Sequence, residues 1–212
     1  MSDSREIPLK KKSLFREYAE AIAIALLLAL FIRGFVVQAF KIPSGSMIPT
    51  LLVGDHILVS KFIYGLRNPF TGSVLIPIKD PERLDVVVFK YPLNPSQDFI
   101  KRVVGLPGDT IEVINKKVYV NGAPIKDDPG VNNKSRILPR NVSARDNFGP
   151  ITVPDNSLFV MGDNRDNSHD SRVWHFVDFN NLKGQAFVLY WSWDKEDFGV
   201  RWRRLGQIIR LN

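Results

Sequence analysis

Ser46 lies in the stretch Phe40 to Leu51, F-K-I-P-S-G-S-M-I-P-T-L. A serine hydroxyl becomes a nucleophile only when a base stands beside it. Pro43 fixes its own φ and biases Ile42 toward an extended conformation. Gly45 permits a turn or a close backbone approach. The stretch therefore predicts an extended strand that stops at a tight corner, with Ser46 displayed on it. A plain Ser/Gly/Pro loop leaving a helix would have the same composition, so a base must be sought elsewhere. None of the three histidines, His56, His169 and His175, has a convincing setting for that role. The better candidate is Lys101, in D-F-I-K-R-V-V-G-L-P-G-D. Strand alternation puts Phe99, Lys101 and Val103 on one face and Ile100, Arg102 and Val104 on the other. A lysine desolvated between apolar neighbours has a lowered pKa and, once neutral, can take a proton from serine. Alternation alone also suits a wet sheet-edge lysine, and most lysines are exposed.

A third stretch, Met161 to Val177, reads M-G-D-N-R-D-N-S-H-D-S-R-V-W-H-F-V. So many hydrogen-bonding side chains on one loop predict a network that fixes geometry. A solvated acidic loop or a calcium site is the rival. The spacing of Asp163, Asp166 and Asp170 does not match an EF-hand loop, which uses alternate positions and a terminal glutamate. The histidines lack zinc-site spacing. Neither metal nor cofactor is expected.

The elements that must position these residues are mostly strands. His56–Ser60 is a short apolar run after a Gly54-Asp55 turn, and Asp85–Lys90 is rich in valine. Phe99–Val104 alternates and is stopped by Gly105-Leu-Pro-Gly-Asp109. Ile111–Ile114 and Lys117–Val120 read as a hairpin about Asn115-Lys116, followed by the strong Asn121-Gly122 turn signal. Leu158–Met161 and Ala186–Trp193 are further strands. Residues 110–155, polar and weakly periodic beyond 122, read as a small accessory insertion. Many short strands with turn punctuation predict a mainly β, antiparallel domain over residues 38–212.

Ahead of it, residues 1–17 are polar, with Lys10, Lys11, Lys12 and Arg16, and Ala21–Ile32 carries no charge. Apolar character resumes beyond Arg33-Gly34. Tyr18–Val37 reaches the 20 or so residues that a bilayer span needs, if Glu20 and Arg33 lie near the interfaces. A cleaved signal peptide ending near Val37-Gln38-Ala39 and a buried soluble helix compete with this reading. The anchor is favoured because functional-looking residues follow at once. The lysines before it put residues 1–17 in the cytoplasm and the rest outside. The net charge of +7 invites nucleic acid or anionic lipid. No basic helix or finger motif is present, so lipid is the better match. The absence of cysteine excludes disulfide and thiolate chemistry.

Four blocks in this order resemble the bacterial type I signal peptidases, or leader peptidases. They are P-S-G-S-M-I-P-T-L from Pro43, G-D-H-I-L-V-S-K-F from Gly54, K-R-V-V-G-L-P-G-D from Lys101 and G-D-N-R-D-N-S-H-D-S-R from Gly162. The resemblance implies an antiparallel β catalytic core of the Ser-Lys protease type behind an N-terminal transmembrane helix. It implies a membrane-bound endopeptidase that removes signal peptides from preproteins after small residues, with the catalytic domain on the outer face of the cytoplasmic membrane. By resemblance, Ser46 is the nucleophile and Lys101 the general base. Ser44 and the Ser46 N–H form the oxyanion hole, and Ser168 orients the lysine. Asp170 and Arg172 make a structural ion pair. Phe40, Ile42, Pro43, Met47, Leu51 and Ile100 line the substrate groove. Two departures stand out: His175 follows Trp174 where glycine is usual, and Phe99 stands where tyrosine is common. A self-cleaving Ser-Lys protease and a non-catalytic, membrane-tethered β domain that binds extended peptides remain the alternatives.

Overall fold

The computed structural model describes residues 14–67 and 74–209. The expected cytoplasmic segment 1–17 therefore lies largely outside the described residues, and with it Lys10, Lys11 and Lys12. In chain order the elements are α1 (Leu14–Phe31), β1 (Val37–Lys41), β2 (Asp55–Ser60), β3 (Leu66–Arg67), β4 (Val74–Ile76), β5 (Val86–Tyr91), β6 (Asn94–Gly105), β7 (Thr110–Ile114), β8 (Lys117–Val120) and β9 (Ala123–Pro124). They continue with β10 (Phe148–Thr152), β11 (Ser157–Met161), α2 (Ser171–Trp174), β12 (Phe176–Asp178), β13 (Leu182–Asp194) and β14 (Gly199–Val200).

The main sheet runs β1-β2-β13-β5-β6-β11-β12, with β14 beside β13, and its pairings are antiparallel. The valine run of β5 explains its place. Val86, Val87, Val88 and Phe89 are all buried, as a continuous apolar strand requires when both of its faces are covered. β13 is the longest strand. Its start, from Leu182 to Gln185, pairs with β5 and its middle, from Gln185 to Ser192, with β2, and register shifts let it bend between them. One core cluster gathers Ile42, Met47, Leu51, Ile57, Val59 and Leu189 beneath β1 and β2. A second joins Val87, Phe89, Val103, Leu158 and Trp174.

A separate four-stranded sheet, β10-β7-β8-β9, packs Ile111, Val113 and Val118 onto Phe159 and Met161 of the main sheet. The β7–β8 hairpin turns on Asn115 and Lys116, both at positive φ, the backbone that a two-residue type I′ turn demands. The accessory insertion is therefore more ordered than its composition suggests. It holds four strands, including β10, whose Gly149-Pro150 hides it from a strand pattern.

The N-terminal helix departs from the expected span of Tyr18–Val37. α1 stops at Phe31, a π-helical turn covers Ile32–Val36, and Val37 already belongs to β1. At 18 residues α1 is about 27 Å long, against a hydrocarbon core of about 30 Å. Its first two turns carry Arg16, Glu17 and Glu20, with Arg16 paired to Glu20 at 2.9 Å. Among the described residues no helix is long and apolar enough to cross a membrane. Nor is α1 a buried soluble helix, since none of its residues is buried.

Candidate active site

The Ser46 corner forms where β1 ends. Ile42 N–H donates to the Asp55 carbonyl at 2.8 Å and Gly54 N–H to the Ile42 carbonyl at 3.1 Å. Past these bonds the chain leaves the sheet and makes one 3₁₀ turn, Gly45–Met47. Met47, fully buried, anchors the turn in the core. Asn164 clamps it from the facing loop: its backbone N–H donates to the Ser46 carbonyl at 3.1 Å, and its Nδ2 donates to the Gly45 carbonyl at 3.1 Å. Lys101 arrives from β6, 55 residues further along the chain. Its Nζ donates to Ser46 Oγ at 2.8 Å and to the Ile100 carbonyl at 2.9 Å.

Lys101 is only 4% exposed and makes no ion pair among the described residues. Burial pushes its ammonium down from 10.5 to about 8, against the opposing pull of the Asp170 and Asp163 carboxylates. The Phe99 ring lies 5.3 Å from Nζ. Tyr91 stacks on Phe99 with centroids 4.3 Å apart, and its hydroxyl is 3.0 Å from His169 Nε2. A neutral amine at this distance reverses the hydrogen bond and accepts from the Ser46 hydroxyl, which is the arrangement needed to activate an oxygen nucleophile.

The loop from Gly162 to Arg172 is held by ion pairs. Arg102 grips Asp163 with two bonds of 2.8 and 2.7 Å and also donates to the Leu84 carbonyl at 2.8 Å. Asp170 caps α2 and accepts from Gly162 N–H at 3.0 Å and from Arg172 Nη2 at 2.8 Å. Burial works to raise the Asp170 carboxyl, but the Arg172 guanidinium holds it below its usual range. Arg165 binds Asp128, and Lys116, at the tip of the β7–β8 hairpin, reaches Asp166 at 2.5 Å. Gly162 sits where this loop meets the Ser46 turn. A Cβ there would lie 2.2 Å from Ser168 Oγ and 2.4 Å from the Ser46 carbonyl oxygen.

The model of the family described as signal peptidase, peptidase S26, matches residues 15–191. The chain belongs to this family. A signal peptidase I from Pseudomonas aeruginosa is 42% identical over 214 residues, covering 87% of this chain and 75% of that one. Another, from Aquifex aeolicus, is 36% identical and covers 84% of each chain. A solved signal peptidase I structure from Enterococcus faecalis is 31% identical, covers 51% of this chain and 97% of its own, and superposes with a TM-score of 0.41.

For this S26 peptidase, the fold brings Ser46 and Lys101 into contact and sets the Asp170–Arg172 pair behind them. Ser44 immediately precedes the turn, exposed and extended, and its side chain caps nothing. Ser168 departs from expectation, because its Oγ makes no bond to Lys101. That oxygen is buried near Asp170, close enough to favour the ionised carboxylate, yet without a partner of good hydrogen-bond geometry. The groove residues divide into two sets. Phe40 and Ile100 are partly exposed and Pro43 exposed, whereas Ile42, Met47 and Leu51 are core residues beneath them. His175 lies outside the contact pair. It ends α2 at φ 69°, a left-handed conformation that favours glycine, and its ring is 6.2 Å from that of Phe148. Sequence reasoning missed the Arg102–Asp163 pair and the Asn164 clamp. The one available signal was that Arg102 falls on the face of β6 opposite Lys101.

Proposed function

We propose that this S26 peptidase is a membrane-anchored serine endopeptidase that removes N-terminal signal peptides from secretory preproteins, with Ser46 as nucleophile and Lys101 as general base. The observation that carries the reading is the 2.8 Å contact between Ser46 Oγ and a buried lysine that has no acid partner among the described residues. Lys101 takes the Ser46 proton as Oγ attacks the scissile carbonyl carbon. The Ser44 hydroxyl and the Ser46 N–H stabilise the oxyanion, a contribution of about 3 kcal/mol per donor in comparable sites. The leaving amine departs with a proton from Lys101, and the acyl-enzyme is then hydrolysed by a water that Lys101 activates.

The preprotein binds as an added strand. Among the described residues β1 is an edge strand paired only with β2, and β11 covers β6 from Arg102 to Gly105 but not residues 94–101. Free strand edges supply backbone hydrogen bonds, and side-chain pockets supply selection. Phe40, Pro43 and Ile100 shape those pockets, and buried Ile42, Met47 and Leu51 form their floor, which keeps them shallow and suited to small side chains. α1 and the π-helical turn form the anchor: no residue of α1 is buried, and Leu26, Leu27 and Leu30 are more than half exposed. The lysines before α1 place the N-terminus in the cytoplasm and the β domain on the outer face of a bacterial cytoplasmic membrane.

The test is to mix the detergent-solubilised full chain with a purified preprotein and identify the products. One trimmed chain, cut after a small residue, is expected, with no product from Ser46→Ala. Full cleavage by Ser46→Ala would remove the serine from the mechanism.

A further inference from the structure

A cleft of about 1050 Å³ lies where α1 and the π-helical turn meet β1 and β2, and neither Ser46 nor Lys101 lines it. Leu30, Ile32, Ala39 and Leu58 give it an apolar wall, continuous with the exposed side of α1. Two cations, Arg33 and Lys61, stand on the same cleft. Lys61 Nζ donates to the Gly34 carbonyl at 2.6 Å, which fixes the ammonium at the junction of helix and sheet. Neither Arg33 nor Lys61 makes an ion pair among the described residues. The charge excess is felt locally: burial first, and the nearby Lys183 ammonium second, push Lys61 down from its ordinary value. Lys183 itself is matched by Asp98 at 2.6 Å. The cleft thus joins an apolar wall to a pair of cations that nothing in the described chain neutralises.

A ligand that suits both parts has an anionic head and an apolar tail. We propose that the cleft binds an anionic phospholipid, with its phosphodiester on Arg33 and Lys61 and an acyl chain along Leu30, Ile32 and Leu58. The inference rests on the anchor reading of α1, because a helix in lipid brings headgroups to the level of Arg33. The lipid covers the apolar wall and supplies the missing negative charge. It ties the helix to β1, six residues before the Gly45–Met47 turn starts after Ala39. Each basic side chain near an anionic lipid surface contributes about 1 kcal/mol, roughly a fivefold change in affinity.

The experiment titrates the full-length protein in neutral detergent with phosphatidylglycerol or phosphatidylcholine of identical acyl chains, and counts bound lipid by native mass spectrometry. Wild type is expected to retain phosphatidylglycerol at lower concentration than phosphatidylcholine. Arg33→Gln should weaken phosphatidylglycerol about fivefold, and Arg33→Gln with Lys61→Gln about 25-fold, by the same per-charge figure. Lys61→Gln also removes the bond to Gly34. Arg33→Gln disturbs no ion pair among the described residues, so it carries the test by itself. Equal retention of the two lipids, or an Arg33→Gln protein that binds phosphatidylglycerol as wild type does, overturns the proposal. So does displacement of the lipid by millimolar inorganic phosphate, which would make this a free-phosphate site. Alkaline carbonate extraction of wild-type membranes separates the two readings. Release of the protein defeats the anchor, whereas retention with a negative lipid titration defeats the cleft alone.

Discussion

Lys101 and Arg102 are neighbours on β6, 4% and 3% exposed, and they face opposite sides of the sheet. On one side Arg102 meets Asp163 through two short bonds, and Thr50 donates to the same carboxylate at 2.5 Å. On the other side Lys101 meets a serine hydroxyl, a backbone carbonyl and the Phe99 ring, and no carboxylate among the described residues pairs with it. A buried cation with a matched anion is an architectural part, costly to disturb on either side. A buried cation without one is poised to lose its proton, which is the property that a general base needs. One strand thus carries a fixed charge that holds the loop at Gly162 and, in the proposed mechanism, a labile one that works on Ser46.

Exchanging the two kinds of cation tests the contrast most severely. Lys101→Arg puts a group that keeps its proton in proteins where a neutral amine is needed. Preprotein cleavage is expected to fall about a thousandfold or more, within the range for loss of a general base, while circular dichroism shows a folded protein. Retention of more than about a tenth of the rate, one decade or about 1.4 kcal/mol of barrier, would remove Lys101 from that role.

Unmatching the fixed charge comes next. Asp163→Ala leaves the Arg102 guanidinium buried and uncompensated, so urea denaturation should show a loss of about 3–5 kcal/mol. A loss below 1 kcal/mol would mean that the pair is not the brace described here.

The labile charge should also be visible in the pH profile. With Lys101 titrating at about 8, kcat/KM should be flat above that pH and fall about tenfold per unit below it, to about a hundredth of its plateau at pH 6. An acid limb centred near pH 6 or below would point to a different base. The same shift carries a stability consequence of definite sign. The folded pKa lies below the unfolded value of 10.5, so the unfolded chain binds more protons between pH 8 and 10.5. Lys101 therefore makes stability rise with pH across that window. Lys101→Met should flatten that rise.

The smallest effect belongs to a residue outside both sets. His175→Gly should leave cleavage within a few-fold and raise stability by about 1 kcal/mol, because glycine meets no steric penalty at this positive φ. A thousandfold loss of activity would instead make the imidazole the base.

The legible parts of this molecule were those in which residue type and local spacing carry the physics. The valine run of β5 announces a central strand, and Asn115-Lys116 followed by Asn121-Gly122 announces a hairpin and its exit. Ser46 and Lys101 could each be singled out from their surroundings, but residue type and spacing left both open, and only the resemblance of the four blocks joined them as a pair. What stayed hidden depends on distant partners. Arg102 and Asp163 are 61 residues apart, and each taken singly looks like a surface charge. The full burial of Met47 and Leu51 stayed hidden because the sequence does not say how deep the corner sits. β10 was lost to Gly149-Pro150, which breaks the strand pattern without preventing pairing to β7. The end of α1 was misplaced because apolar residues suit a helix and the first strand of a sheet equally well, and the change of backbone falls inside one apolar run.

Gly162 has a bearing on how activity is judged across related chains. It fills the gap between the Ser46 turn and Ser168 with no side chain at all, and even one methyl group would have to displace backbone. A protein with alanine at this position would keep Ser46, Lys101 and Ser168 intact and pass any inspection for missing reactive groups. It would nonetheless have the Ser46 turn wedged away from the loop that supports it. The integrity of this centre is recorded as much by a hydrogen atom at position 162 as by the groups that take part in the chemistry.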